Sequence, residues 1–260
     1  MNLLEAIVLG IIQGLTEFLP VSSSGHLEIG KYLFDIDAES SFSYSIAVHG
    51  ATVLSILVVF WQELVSLVKG TLKFRMNSET HYVLKIIVSM IPVALIGFFF
   101  EDEVEAFFNG NIVFVGSMLL MTAALLIASS IMKDRRKEIS YTHAFIIGVA
   151  QALAVLPGIS RSGATISTGL MLGNKKEDLA KFSFLMVLIP VIGANLLELV
   201  KGDFSAGSSV GPAAIISGFV SAFITGYIAC RWMINLVRRR KLYWFGIYCI
   251  IIGLIAVILG

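Results

Sequence analysis

The sequence predicts an all-α polytopic membrane protein, with six transmembrane helices and two re-entrant helical hairpins arranged as an inverted-topology repeat. Three observations predict this fold: long apolar runs, separate basic and acidic connections, and two polar segments in apolar surroundings. The 260 residues are 57% hydrophobic and 14% charged, which is more apolar side chain than a soluble domain of this length can bury. We therefore expect one integral membrane domain, 1–260, with repeat halves at about 1–134 and 139–260.

The apolar runs define the spanning helices. A helix needs about 20 apolar residues to cross a bilayer. Residues 1–30 contain no Lys or Arg and carry Glu5 early, which argues against a signal peptide. Cys230 and Cys249 lie in apolar runs, where buried thiols are expected rather than a disulfide or metal site. The predicted spans are 43–61, 83–100, 112–132, 182–200, 210–232 and 242–259.

The connections between the spans differ in charge. Basic residues concentrate in four of them, and basic connections remain in the cytoplasm. Acidic residues dominate 35–39 and 101–105, which we assign to the outer side together with 201–203. This threading leaves two segments that enter and return on one side, a hairpin at about 3–34 from outside and one at about 141–173 from the cytoplasm. The basic connections are 69–75, 133–137, 175–181 and 231–241.

The two hairpins are related by an internal repeat. When the chain is shifted by 138 positions, several residues of the first hairpin fall on identical residues of the second. Each half then contains one hairpin and three spans, and because three is odd, the second half is inverted relative to the first. Inverted repeats with broken helices typically hold a site near the middle of the membrane. The matching residues are Ala6, Gly10, Gln13, Leu15, Ser22, Ser24 and Gly25 with Ala144, Gly148, Gln151, Leu153, Ser160, Ser162 and Gly163.

Each hairpin contains a polar turn, "PVSSSGHLE" at 20–28 and "PGISRSGAT" at 157–165. Irregular backbone at membrane depth is tolerated only where protein or a watery cavity surrounds it. Each turn also begins a helix, and helix N-termini with free N–H groups bind anions. Gly25 and Gly163 allow an anion to approach the backbone. The turns enter from opposite faces, so we expect them to meet and grip a phosphate.

Four residues of these hairpins are the candidate catalytic group: Glu17, Ser23, His26 and Arg161. An Arg at this depth needs an anionic partner, and its planar fork suits phosphate oxygens. The structural alternatives stay open, since Glu17 and Arg161 could simply pair and His26 could be a core histidine. His49, within a span, is open in the same way. The candidate substrate-binding residues are Gln13, Ser22, Ser24, Gly25, Ser160, Ser162 and Thr165.

The stretches "QGLTEFLPVSSSGHL" and "PGISRSGAT" resemble the two signature motifs of bacterial undecaprenyl pyrophosphate phosphatases, also called the bacitracin-resistance protein family. The chain length, the number of segments and the tail "RRRKLYWFGIYCIIIG" fit as well, so the resemblance covers essentially the whole sequence. It implies hydrolysis of undecaprenyl diphosphate to the monophosphate, which recycles the lipid carrier of cell-wall synthesis. The family's critical Ser, His and Arg fall on Ser23, His26 and Arg161.

The resemblance also implies a divalent cation, Mg²⁺ or Ca²⁺, with Glu17 as a candidate ligand. The family often has Glu where this chain has Gln13, which leaves an acid, base or metal role at that position in doubt. Ser23 or His26 is the nucleophile in our hypothesis, with Ser23 preferred. Glu17 then serves as a base, as the carboxylate that orients His26, or as a metal ligand.

The expected partners are a polyprenyl diphosphate lipid and the bilayer, without nucleic acid, and a homodimer is allowed. We expect a multi-pass protein of the bacterial inner (plasma) membrane, with an active site that opens to the outer, periplasmic side. The chief rival function is a lipid-phosphate transporter or flippase with the same fold. A carrier needs Arg161 and the helix ends, but has no need of Ser23 and His26 beside Glu17. A weaker rival, a structural partner of wall-synthesis enzymes, leaves the buried charges without a purpose.

Overall fold

The computed structural model describes residues 1–36, 42–108, 110–132, 135–201, 210–238 and 241–260, with all side chains in these ranges except those of residues 42, 101, 105, 194–201 and 238. The described residues form α-helices joined by short connections. In chain order the helices are α1 Leu3–Phe18, α2 Ser23–Leu33, α3 Phe42–Val59, α4 Trp61–Thr71, α5 Ser78–Phe99, α6 Glu101–Glu105, α7 Ile112–Ser130, α8 Tyr141–Leu153, α9 Arg161–Met171, α10 Lys176–Lys201, α11 Pro212–Arg238 and α12 Leu242–Leu259.

Several of these helices are suited to crossing a membrane. Among the described residues, α5, α7, α11 and α12 are each long and apolar enough, and they correspond to four of the predicted spans. The pair α3 and α4 makes a fifth if its bend of 73° is counted as one broken span. The predicted span 182–200 lies within α10, but its side chains after 193 fall outside the described residues. The chain is therefore an all-α, multi-pass membrane protein, and its sixth span stays a prediction.

The bend after α3 places a helix where the sequence predicted only a basic connection. α4 is amphipathic: Leu64 and Leu67 pack against the buried core, whereas the side chain of Trp61 is 64% exposed. Such a helix, with a basic end at Lys69, is typical of one that lies along a membrane surface. Composition alone missed it because Gln62 and Glu63 interrupt the apolar run that we used to recognise spans.

Small residues bring the long helices close together. A Cβ on Gly10 of α1 would lie 2.5 Å from the carbonyl oxygen of Gly218 in α11. In the same way, a Cβ on Gly116 of α7 would lie 2.7 Å from the carbonyl oxygen of Gly253 in α12. Both distances are too short for any larger residue, so the two backbones are in direct contact. This is the small-residue packing that membrane helices use.

Two helix pairs, α1 with α2 and α8 with α9, are broken within the apolar core. Buried apolar side chains from several helices pack around these breaks. At the basic end of the second pair, the N–H of Lys137 donates to Gly173 O at 2.9 Å and the N–H of Lys175 donates to Lys137 O at 2.9 Å. This short parallel bridge ties the start of α8 to the end of α9.

Candidate active site

A buried carboxylate at the end of α1 is the centre of the site. The side chain of Glu17 is 8% exposed. Its Oε2 accepts a hydrogen bond from Ser23 Oγ at 2.6 Å and another from Gln13 Nε2 at 2.9 Å. Its Oε1 accepts from Arg161 Nη2 at 3.2 Å. The structure thus brings together Glu17, Ser23 and Arg161, which lie on two different broken helix pairs, and a phosphate can bridge them.

The turn between α1 and α2 delivers Ser23 to this carboxylate. Pro20 has no N–H and ends α1, and the chain then reverses so that Ser23 becomes the first residue of α2. Ser22 caps α2, since its Oγ accepts from Gly25 N at 3.2 Å, and it has a φ of 70°. A positive φ is uncommon for a serine and marks a tightly held turn. The hydrogen bond between Ser23 and Glu17 therefore closes a turn of five intervening residues.

The turn between α8 and α9 delivers Arg161 in a similar way. Ser160 caps α9 by accepting from Gly163 N at 3.1 Å. α7 holds this turn from behind, because Thr122 Oγ1 donates to Gly158 O at 3.1 Å and accepts from Ser160 N at 2.9 Å. Arg161 is then the first residue of α9. A mid-span threonine, Thr122, is thus part of the site's support, and its polarity within an apolar run was the signal that sequence reasoning passed over.

The two turns touch each other. Ser162 Oγ donates to Leu19 O across the interface at 3.2 Å, and a Cβ on Gly25 would lie 3.1 Å from Gly158 Cα. The N-terminal ends of α2 and α9 therefore meet around Glu17, and each brings the positive end of its helix dipole. The side chain of Arg161 is 29% exposed, so its guanidinium can meet an anion while it pairs with Glu17. The arrangement is suited to a phosphate.

His26 lies one turn after Ser23 but uses its ring elsewhere. Its Nδ1 is 2.8 Å from Ser22 O, and its Nε2 is 2.8 Å from the hydroxyl of Tyr248 on α12. Both ring nitrogens therefore have partners other than Glu17, and in this structure Glu17 does not orient His26. Tyr248 was missed from the sequence because a tyrosine in an apolar run indicates only a helix near an interface.

Of the predicted substrate-binding side chains, one keeps an unpartnered oxygen, and the others are hydrogen-bonded within the turns. Gln13 is fully buried, and its Oε1 has no hydrogen-bond partner among the described residues. Thr165 Oγ1 donates to Arg161 O at 2.9 Å and lies 2.6 Å from Ser183 Oγ, so it supports α9 rather than facing an open space. The Oγ atoms of the remaining serines shape the turns: Ser22 with Gly25 N and Ser24 Oγ, Ser160 with Gly163 N, and Ser162 with Leu19 O.

A divalent cation at this site would have few protein ligands. Among the described residues, no three His, Cys, Asp or Glu side chains lie close enough to hold a metal ion. The carboxylate of Glu17 and the unpartnered Oε1 of Gln13 are oxygen ligands of the kind that Mg²⁺ and Ca²⁺ prefer. Mg²⁺ is commonly held by one or two carboxylates and the phosphates of its substrate. These two oxygens fit that mode.

Comparison with known proteins gives one consistent family. The family model described as bacitracin resistance protein BacA matches residues 6–255. An undecaprenyl-diphosphatase of Bacteroides fragilis is 53% identical over 264 residues, which is 100% of this chain and 99% of the relative. One from Parabacteroides distasonis is 53% identical, over 99% of this chain and 98% of the relative. One from Thermosipho africanus is 42% identical, over 98% and 99%. The aligned region therefore spans both turns.

Proposed function

Because the chain belongs to the bacitracin resistance protein BacA family, we propose that it hydrolyses undecaprenyl diphosphate to undecaprenyl phosphate and inorganic phosphate. Relatives named undecaprenyl-diphosphatase align over essentially their full length, and the reaction recycles a lipid carrier and protects against bacitracin. The observation that carries the proposal is the hydrogen bond of 2.6 Å from Ser23 Oγ to Glu17 Oε2. A carrier for lipid phosphates needs no hydroxyl held against a carboxylate, so this contact favours hydrolysis over transport.

Ser23 is the nucleophile in the proposed mechanism, and Glu17 is its base. Ser23 Oγ attacks the terminal phosphorus while its proton passes to Glu17 Oε2. The bond from this phosphorus to the bridging oxygen breaks, undecaprenyl phosphate leaves, and a phosphoserine remains. Ser23 is preferred to His26 because its hydroxyl is already held against Glu17, whereas neither ring nitrogen of His26 contacts this carboxylate.

A water molecule completes the reaction by attacking the phosphoserine. His26, one turn along α2 from Ser23, takes the proton of this water at Nε2. Inorganic phosphate then leaves, Ser23 Oγ regains its proton from Glu17, and His26 releases its own proton to solvent. Over the two steps, one water molecule is consumed, and undecaprenyl phosphate and inorganic phosphate are released. Each step uses a group that lies on the broken pair α1 and α2.

Charge neutralisation is the larger part of the proposed catalysis. Phosphoryl transfer is accelerated chiefly by positioning and by groups that neutralise the transferred phosphoryl. Arg161 and the N-terminal ends of α2 and α9 supply positive charge here, and the family's divalent cation would be held by Glu17 and Gln13 Oε1. When bound, that cation would neutralise phosphate oxygens.

We infer that the fold is an inverted repeat of a re-entrant hairpin and three spans in each half. Paired caps support this: Asn2 caps α1 and Ser140 caps α8, whereas Ser22 caps α2 and Ser160 caps α9. The members of each pair are separated by 138 positions. Helix contacts agree, because α1 packs against α11 while its counterpart α8 packs against α5.

The proposed location is the inner membrane of a bacterium, with the site open to the periplasmic side. The support is the charge of the connections, since basic residues collect at one end of the helices and acidic residues at the other. On this threading the pair α1 and α2 enters from outside. Assembly into a homodimer stays a prediction, and the mass of the protein in detergent would test it.

The experiment is an assay of the purified protein in detergent with a polyprenyl diphosphate, with free phosphate measured with and without a chelator. We expect release that needs a divalent cation and falls at least about 10³-fold in Ser23→Ala, because a nucleophile is lost. Ser217→Ala, which removes a hydroxyl bonded to Ala214 O on α11, is the matched control and keeps its activity. If the wild-type chain releases no phosphate with any cation, the proposed reaction is wrong. Near-normal release by Ser23→Ala would overturn only the assignment of Ser23 as the nucleophile.

A further inference from the structure

The hydroxyl of Tyr248 and the ring of His26 form a contact that the proposed reaction does not use. Tyr248 is on α12, 222 residues from His26, and its hydroxyl is 2.8 Å from His26 Nε2. The two rings are nearly parallel, with an interplanar angle of 9° and centroids 5.5 Å apart. The contact therefore fixes both the direction of Nε2 and the plane of the imidazole.

The other side of the His26 ring determines which nitrogen carries the proton. Nδ1 faces Ser22 O at 2.8 Å, and a carbonyl oxygen can only accept, so the hydrogen of the neutral imidazole is on Nδ1. Nε2 then holds the lone pair, and Tyr248 donates to it. The turn residue Ser22 and the distant Tyr248 together select one tautomer and hold it in one orientation.

Contacts of α12 on either side of Tyr248 hold its backbone in place. The next residue, Cys249, is buried, and its Sγ lies 3.8 Å from Pro20 O in the first turn. α12 also lies in backbone contact with α7 through Gly253 and Gly116. The ring of Tyr248 is 40% exposed, so its hydroxyl can leave His26 without a rearrangement of the core.

We infer that Tyr248 is a positioning residue for His26: its hydroxyl holds Nε2 as an acceptor in the resting site and releases it to the attacking water in the second step. This rests on the proposed hydrolysis. Without the hydroxyl the imidazole keeps its bond to Ser22 O but loses the partner that fixes its ring. The phosphoserine should then persist longer, while binding of the diphosphate is unaffected.

The test compares Tyr248→Phe, which keeps an aromatic ring, with the control Tyr243→Phe, whose ring contacts Trp244 on the same helix. We expect Tyr248→Phe to lower kcat roughly 10-fold, a part of the 10²–10⁴ that a positioned base contributes. The ratio kcat/KM should stay unchanged, because a slower second step lowers kcat and KM together, and a phosphoserine should accumulate in a burst. A kcat equal to that of Tyr243→Phe overturns the inference, and so does a change in KM alone, which would mean that Tyr248 touches the substrate.

A second measurement does not depend on activity. In wild-type protein with ¹⁵N-labelled histidine, the signal lost in His26→Gln identifies His26 among the four histidines. We expect Nδ1 to be protonated and Nε2 to carry the shift of a hydrogen-bonded acceptor, and this shift should move in Tyr248→Phe. Protonation on Nε2 alone would overturn the inference. Failure of the wild type to release phosphate would contradict the proposed reaction. The ¹⁵N signals would still show which nitrogen of His26 is protonated and whether Tyr248 is its partner.

Discussion

The ion pair between Glu17 and Arg161 joins the two halves of the chain, with 3.2 Å between Arg161 Nη2 and Glu17 Oε1. A carboxylate with little exposure is costly unless it is paired, and the removal of one member of a buried pair leaves the other charge without compensation. In the structure the pair holds the two turns together. In the proposed mechanism Arg161 also meets the incoming phosphate.

Removal of Arg161 should therefore destabilise the fold as well as abolish activity. We expect Arg161→Ala to lower the free energy of unfolding by about 3 kcal/mol, the lower end for buried pairs because Arg161 is partly exposed. Glu17→Gln combined with Arg161→Ala should recover most of this loss, since a neutral amide needs no cation. Unfolding in detergent, followed by circular dichroism, measures both. Equal stability of Arg161→Ala and wild type would mean that Glu17 is solvated.

Among single residues, the sequence motifs predicted those that lie in or next to the two polar turns. Glu17, Ser23 and Arg161 follow from a carboxylate, a serine and an arginine near two polar turns. Tyr248 does not follow, because its contact with His26 depends on how α12 packs, and an apolar pattern around Tyr248 determines only that the helix is buried on one side. The unpartnered Oε1 of Gln13 is likewise a property of the packed site, not of the pattern.

The turns are the elements that position the site, and their backbones are unusual. Gly158 has a φ of 98°, in the region that favours glycine, and a Cβ there would clash with Val115 O of α7. The second turn therefore requires glycine for two independent reasons. Since Gly158 is three residues before Arg161, any shift of this turn moves the guanidinium away from Glu17.

Gly158→Ala should accordingly lower both stability and activity. The strained φ costs about 1–2 kcal/mol, and the overpacking against α7 about 1–3 kcal/mol. The matched control is Gly97→Ala in α5, where a Cβ meets nothing within 4 Å, and which should be neutral or slightly stabilising because alanine favours helix. The unfolding midpoint and the phosphate assay measure both effects. A Gly158→Ala protein as stable and active as Gly97→Ala would contradict the assigned role of this turn.

The helix boundaries are the feature that a pattern of apolar residues predicts least well. α10 begins at Lys176, before the predicted start at 182, and α11 continues to Arg238, past the predicted end at 232. Both extensions contain charged residues that an apolar window excludes, yet the helices continue through them. α4 was missed for the same reason. Length and hydropathy predict the membrane-embedded part of a helix, whereas its ends depend on capping and on surface packing.

For the whole molecule, the position of the site depends on which end of the helices faces outward. On the proposed threading, the first broken pair opens toward the side that carries Glu103, and the second toward the side that carries Lys73. A lipid diphosphate released by extracytoplasmic wall synthesis would reach Ser23 without crossing the bilayer only if the Glu103 side is outside. The orientation in the membrane therefore decides whether the site can act on a lipid diphosphate that is released outside.

Two engineered cysteines test this topology. Glu103→Cys and Lys73→Cys both replace exposed residues, and the natural Cys230 and Cys249 are buried, so they should react slowly with a membrane-impermeant maleimide. We expect Glu103→Cys to be labelled in intact spheroplasts and Lys73→Cys only after permeabilisation, because basic connections remain in the cytoplasm. The opposite labelling pattern would mean that the chain has the reverse orientation in the membrane. The opening beside Ser23 would then face the cytoplasm, and the diphosphate would have to cross the membrane before hydrolysis, which would restore the case for transport as a part of the protein's function.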